Sequence, residues 1–237
     1  MKFKRVLLKI SGETLKGKQE HGYEAGAVRH VVQTVKSAVE GGASIALVVG
    51  AGNIWRGVMG AGMDPVTADY MGMLGTVMNG LCLADYFRAA GVPAELFCSV
   101  AMEPIAPRFD RRKALEAMDA GKVVIFSGGT GCPFFTTDTT AALRALEMDC
   151  DAVLKATKVD GIYTADPKKD PTAVRFDRLS YDEAISRNLK IMDQSAFSLC
   201  RDRDLPIVVF DFFDPSSLGR VLAGDLSAGT LVSKEGE

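Results

Sequence analysis

Short apolar runs alternate along the chain with longer stretches of helical period. Residues 6–10, 44–49, 94–98, 122–127, 152–156, 206–210 and 230–232 read as strands. The run 44–49 is almost wholly apolar and lies near glycines, the pattern of a strand buried on both faces of a parallel sheet. Helices are predicted over 25–40, 67–90, 110–120, 136–148, 181–188, 193–203 and 216–223. In the first of them Val28, Val31, Val32, Val35, Ala38 and Val39 share one face, and Gly41-Gly42 ends it. Asp110 suits an N-cap and Gly121 a stop for the helix between them. Strand–helix alternation implies an α/β fold, with a mostly parallel central sheet covered by helices on both faces. In such sheets ligands bind beyond the carboxyl ends of the strands.

Composition narrows the classes. The 237 residues carry 28 Lys plus Arg against 30 Asp plus Glu, a net charge of −2, so the chain lacks the cationic excess of a nucleic-acid binder. No apolar run approaches the roughly 20 residues that cross a bilayer, so no membrane association is expected. The basic start, Met1 to Arg5, is followed only by Val6-Leu7-Leu8 before Lys9, too short for a signal-peptide core. The expected location is the cytosol. Cys82, Cys98, Cys132, Cys150 and Cys200 form no CxxC pair, so they read as buried reduced thiols and no metal site is predicted. His21 and His30 have no evident catalytic partner.

Four post-strand loops hold candidate chemistry: Lys9-Ile10-Ser11-Gly12-Glu13, Gly50-Ala51-Gly52-Asn53 leading to Arg56, Ser127-Gly128-Gly129-Thr130-Gly131 leading to Thr136-Thr137-Asp138, and Lys155 to Gly161. Glycines after a strand let main-chain N–H groups approach an anion, and a following helix adds its positive end. No P-loop pattern, dinucleotide fingerprint or protein-kinase motif is present. Lys9, Arg56, Lys155 and Lys158 could converge on anionic groups. Two like charges 4 Å apart repel by about 4 kcal/mol at an effective dielectric of 20. Phosphoryl transfer to an anionic acceptor therefore requires such fixed cations, and no covalent intermediate.

These loops, with Asp69-Tyr70-Met71-Gly72-Met73, Met78-Asn79-Gly80, Gly131-Cys132-Pro133-Phe134-Phe135-Thr136-Thr137-Asp138 and the run from Lys155 through Asp160-Gly161 to Asp166-Pro167, resemble the amino-acid kinase superfamily. Within it they are most similar to the branch that phosphorylates UMP. The resemblance spans residues 4–232. It implies a three-layer α/β/α sandwich and a single domain over 1–237, with the acceptor side N-terminal and the ATP side from about residue 150. It also implies transfer of the ATP γ-phosphoryl to UMP with Mg²⁺ on the nucleotide, a cytoplasmic homohexamer in pyrimidine biosynthesis, and regulation by GTP and UTP.

Residue roles follow from the resemblance alone. Lys9, Ser11 and Gly12 would hold the ATP phosphates, and Gly52 and Arg56 would lie between donor and acceptor. Gly50 and Ala51 would meet the UMP phosphate, and Asp69 the ribose hydroxyls. Thr130, Gly131, Cys132, Pro133, Phe134, Phe135, Thr136 and Thr137 would wrap the uracil and α-phosphate. Thr157, Lys158, Tyr163 and Asp166 would line the ATP site. Asp138 would organise the cations or Mg²⁺, and Asp193 would orient the lysines. The family often has glycine at the position of Ala51 and Asn at that of Cys132. The alternatives are another small-molecule kinase of the same fold, or a non-catalytic nucleotide- or oxyanion-binding protein.

Overall fold

The computed structural model describes residues 1–56, 62–167 and 169–235; Gly57, which follows Arg56, and Lys168, which follows Asp166-Pro167, lie outside them. Eight strands form one sheet in the order β3-β4-β2-β1-β5-β9-β10-β8. They are β1 (Arg5–Ile10), β2 (Ser44–Val49), β3 (Ala94–Cys98), β4 (Val123–Ser127), β5 (Ala152–Thr157), β8 (Arg178–Ser180), β9 (Ile207–Asp211) and β10 (Gly229–Ser233). The first six in that order are parallel, β10 runs antiparallel to β9, and β8 follows β10. A separate antiparallel pair, β6 (Ile162–Tyr163) and β7 (Arg175–Phe176), is tied to β10, where the Ile162 N–H donates to the Thr230 hydroxyl at 2.8 Å. These two-residue strands, and the one-turn helix α1 (Glu13–Lys16), are too short to show a period, and the sequence reading missed them.

Alternation along β1 sorts its side chains between two cores. Val6, Leu8 and Ile10 face α2 (Ala25–Glu40), α3 (Pro65–Ala89) and α8 (Ser217–Ala223), whereas Leu7 faces α4 (Arg111–Asp119), α5 (Thr137–Glu147) and α7 (Gln194–Asp202). Helix α6 (Tyr181–Ser186) joins the second layer through buried Tyr181 and Ala184. Several boundaries are set by caps. The Asp64 side chain accepts the Thr67 N–H at 2.9 Å and Pro65 occupies the first turn, so α3 starts two residues before the predicted position. Asp110 caps α4 through the N–H groups of Arg112 and Lys113.

The thiols depart partly from expectation. Cys98, Cys150 and Cys200 are buried, and desolvation pushes the last two up to about 12, but Cys132 is exposed. His30 does have partners: its ring stacks on Phe213 and its Nε2 lies 3.2 Å from the Phe212 carbonyl oxygen. Among the described residues no helix is long and apolar enough to cross a membrane.

Candidate active site

Lys9 and Lys155 are paired residues on adjacent parallel strands, β1 and β5, so their side chains emerge on the same face. Leu7 and Val153, two residues earlier, pack on that face against α5. Asp138, in the first turn of α5, projects back between the two ammonium groups. Its Oδ1 lies 2.9 Å from Lys9 Nζ and its Oδ2 2.9 Å from Lys155 Nζ. All three side chains are mostly buried. Lys155 also donates to the Ile191 carbonyl at 2.5 Å. Burial by itself would raise the Asp138 pKa, but the attraction of Lys9 and Lys155 outweighs it, and the carboxyl sits below the usual range. Burial, with repulsion from Lys9, lowers Lys155 despite Asp138. The cluster holds a surplus of one positive charge at the carboxyl ends of the central strands.

Asp193 seats this cluster rather than touching the lysines. Its carboxylate accepts the Thr139 N–H at 3.1 Å, the Thr139 hydroxyl at 3.0 Å, the Ala196 N–H at 2.9 Å and the Thr136 hydroxyl. It thereby pins the start of α5, which carries Asp138, to the start of α7. Thr136 completes the turn by accepting the Asp138 N–H at 3.0 Å.

A cavity of about 300 Å³ is lined by Thr136 and Thr137, which immediately precede Asp138, and by Ala51, Asp69, Thr130 and Phe135, all from the sequence reading. Trp55, Ala68, Gly72, Met73, Thr76 and Gly129 complete it. Asp69 Oδ2 accepts the Phe134 N–H at 2.7 Å. Phe134 itself is 73% exposed, and Gly131, Cys132 and Pro133 form an outer arm that does not line the cavity. The Gly50 N–H is committed to the Ile10 carbonyl at 3.0 Å. Ala51 has no positive φ, and its methyl faces Gly75, where an added β-carbon would stand only 2.9 Å away.

A second cavity, of about 640 Å³, is lined by Lys155, Thr157, Tyr163 and Asp166 together with Val159, Gly161 and Ile191. The Tyr163 hydroxyl donates to Asp160 at 2.7 Å, and this bond, then burial, raises the phenol pKa. Lys158 does not line this cavity. It follows β5 and lines a third cavity, with Glu13, Lys18, His30 and Phe213. The strand ends at Thr157 and the chain bends at Lys158, which separates the two side chains.

The turn after β1 rests directly on the turn after β2. A β-carbon on Gly12 would stand 2.2 Å from the Gly50 carbonyl oxygen and 2.7 Å from the Gly52 nitrogen, so only glycine fits. The Ser11 hydroxyl accepts the Glu13 N–H at 3.3 Å. Arg56 does not join the lysines: its guanidinium is held by Glu13. The sequence reading gave no part to Glu13, Trp55, Thr76, Gly129 or Asn79. Asn79 lay inside a quoted motif, but its partners become visible only when α3 is docked.

The Amino acid kinase family model matches residues 4–211. The chain belongs to the amino acid kinase family. A solved UMP kinase from Bacillus anthracis is 35% identical to it, with a TM-score of 0.95, covering 98% of this chain and 97% of that one. A UMP kinase from Ureaplasma parvum is 31% identical, with a TM-score of 0.92, covering 99% of this chain and all of the other, 100%. Both solved structures thus match this fold over nearly the whole length of the chain.

Proposed function

We propose that this protein is a UMP kinase, transferring the γ-phosphoryl of ATP to UMP to give UDP and ADP. One observation carries the reading. The Lys9–Asp138–Lys155 cluster touches the larger cavity through Lys155, and the smaller cavity presents Asp69 and the threonines of the 130–137 loop. Fixed cations at the edge of one cavity, with a second cavity lined by the residues just before Asp138, suit two anionic ligands that repel each other. Full-length similarity to two UMP kinases supports the same assignment.

In this reading the part from about residue 150 holds the donor. Thr157, Tyr163 and Asp166 face adenosine, and Ser11 and Gly12 face its phosphates with Lys9. The N-terminal part holds the acceptor, with Asp69 accepting from the ribose hydroxyls. Lys9 and Lys155 neutralise charge on the transferring group, Asp138 keeps both ammonium groups aimed, and Asp193 holds Asp138 in place. Mg²⁺ is taken in this reading to arrive on the triphosphate, whose oxygens suit a hard divalent cation. The retained lysine–aspartate cluster weighs against a purely storage-type binding protein.

A homo-oligomer is part of the proposal, supported by the exposed apolar side chains Tyr70, Leu74, Met78 and Leu81 along α3. The hexameric number, control by GTP and UTP, a cytoplasmic location and a place in pyrimidine biosynthesis rest on the sequence resemblance. The test is an acceptor panel with ATP and Mg²⁺: UMP should yield UDP and ADP. Acetylglutamate and isopentenyl phosphate should yield nothing; phosphorylation of either without UMP turnover would overturn the reading.

A further inference from the structure

Asn79 lies in the interior of α3 and is fully buried, as is Asn53 in the turn after β2. The Asn79 amide nitrogen donates to the Gly50 carbonyl at 2.7 Å and to Asn53 Oδ1 at 2.8 Å. Asn53 returns a bond to Asn79 Oδ1 at 2.9 Å and gives another to the Gly22 carbonyl at 3.1 Å. A main-chain carbonyl can only accept, so the Gly50 contact fixes which end of the Asn79 amide is nitrogen.

The two oxygens gripped by Asn79 are the same two against which Gly12 packs. A β-carbon on Gly12 would stand 2.2 Å from Gly50 O and 2.6 Å from Asn53 Oδ1. Both oxygens carry partial negative charge and converge on one point. The two hydrogens of a single amide nitrogen hold them together there. Without that donor they repel each other, and both lose a buried partner.

We infer that Asn79 is a positioning residue: it sets the spacing between the Gly12 turn and the turn over residues 50–52. The inference rests on the proposed kinase reading, in which the first turn holds the donor phosphates and the second the acceptor phosphate. Transfer needs the reacting atoms about 3–3.5 Å apart, and a shift of about 1 Å can cost about 100-fold in rate. Asn79 touches neither ligand in this scheme; it fixes how far apart the two are held.

Calorimetry with three probes separates spacing from general damage: UMP, a non-hydrolysable ATP analogue, and one molecule joining adenosine to uridine through five phosphates. In Asn79→Ala the single nucleotides should bind within about threefold of wild type, whereas the joined molecule should lose at least about tenfold, and kcat should fall at least about tenfold with both KM values little changed. Asn79→Ser, which keeps a short donor in the same space, carries the comparison should Asn79→Ala not fold. Equal losses for all three probes, or undiminished binding of the joined molecule, would overturn the inference. A wild-type protein that binds the ATP analogue but not UMP would instead overturn the kinase reading.

Discussion

The main-chain N–H of Phe134 donates to Asp69 Oδ2 at 2.7 Å, tying the arm after β4 to the start of α3 across the mouth of the smaller cavity. Phe134 adopts φ 69°, in the left-handed region, while its ring is 73% exposed. A bulky residue there costs roughly 1–2 kcal/mol. The ring buries too little to offset that cost by itself; the bond to Asp69 helps to hold the conformation.

Phe134→Gly should therefore stabilise the fold. Relief of the left-handed strain outweighs the added freedom of the unfolded chain, and a net gain of about 1 kcal/mol corresponds to a rise of about 2–4 °C in Tm. Thermal unfolding checks this, and a lower Tm contradicts it.

Asp69→Asn keeps the size but exchanges one acceptor oxygen for a donor. The loss of a charge-assisted bond to a ribose hydroxyl is worth about 1.5–3 kcal/mol, so KM for UMP should rise roughly 10- to 100-fold. KM for ATP should move little. Steady-state kinetics with each substrate varied in turn decides between this and a structural role, which would raise both.

Asp138→Asn should lower kcat by at least about 100-fold, as loss of one preorganised electrostatic group does. It should also move the pH profile. In the wild type, Lys155 already releases its proton below its ordinary value of 10.5, because burial and Lys9 outweigh the pull of Asp138. Without that pull the alkaline limb of kcat shifts to lower pH. An unmoved limb would show that Lys155 does not limit the alkaline rate.

The same groups link stability to pH with opposite consequences. The folded Asp138 carboxyl releases its proton below its unfolded value. Its contribution is therefore complete above that unfolded value and is lost as pH falls through the folded one. For Lys155 the unfolded chain holds more protons between the lowered folded value and 10.5, so stability rises with pH across that window. Denaturant unfolding of wild type and Asp138→Asn should differ at neutral pH and converge once the wild-type carboxyl is protonated.

Arg56 and Glu13 form a partly exposed ion pair, with side chains 49% and 30% accessible. Such pairs are worth about 0–1 kcal/mol. In the proposed reading a bound phosphate competes with Glu13 for this guanidinium. Glu13→Gln should lower the nucleotide KM by up to about fivefold. A higher KM would mean that Glu13 orients Arg56 for its ligand.

Leu74, 50% exposed, lies between Tyr70 and Met78 on the outer face of α3. A charge at this position cannot be buried unpaired in an interface. If the proposed homo-oligomer forms through this face, Leu74→Glu should give smaller species in sedimentation velocity while leaving Tm of the separated chain close to that of the parent. An unchanged sedimentation coefficient would remove this face from the interface.

Much of the architecture was legible because its causes are local. The apolar face of α2, the Asp110 cap and the buried run of β2 each depend on residues within a few positions of one another. So does the recurrence of glycines and cations after strands. The period of a helix, the alternation of a strand and the geometry of a cap are properties of a short segment. They identified an α/β sheet and four loops at one edge of it.

Tertiary structure decided which of those loop residues meet. Lys9 and Lys155 converge on Asp138 because β1 pairs with β5 in one register; a slip of one residue would turn a lysine to the opposite face. Lys158 fell outside the second cavity, and Arg56 turned to Glu13, through geometry that no spacing encodes. Asn79 reached Gly50 and Asn53, in the turn after β2, only once α3 packed over that turn. The antiparallel run of β10 likewise emerged only from its pairing with β9. Sequence periodicity is set by neighbours a few residues apart. Strand order, register and side-chain convergence are set by burial and loop closure among residues distant in the chain.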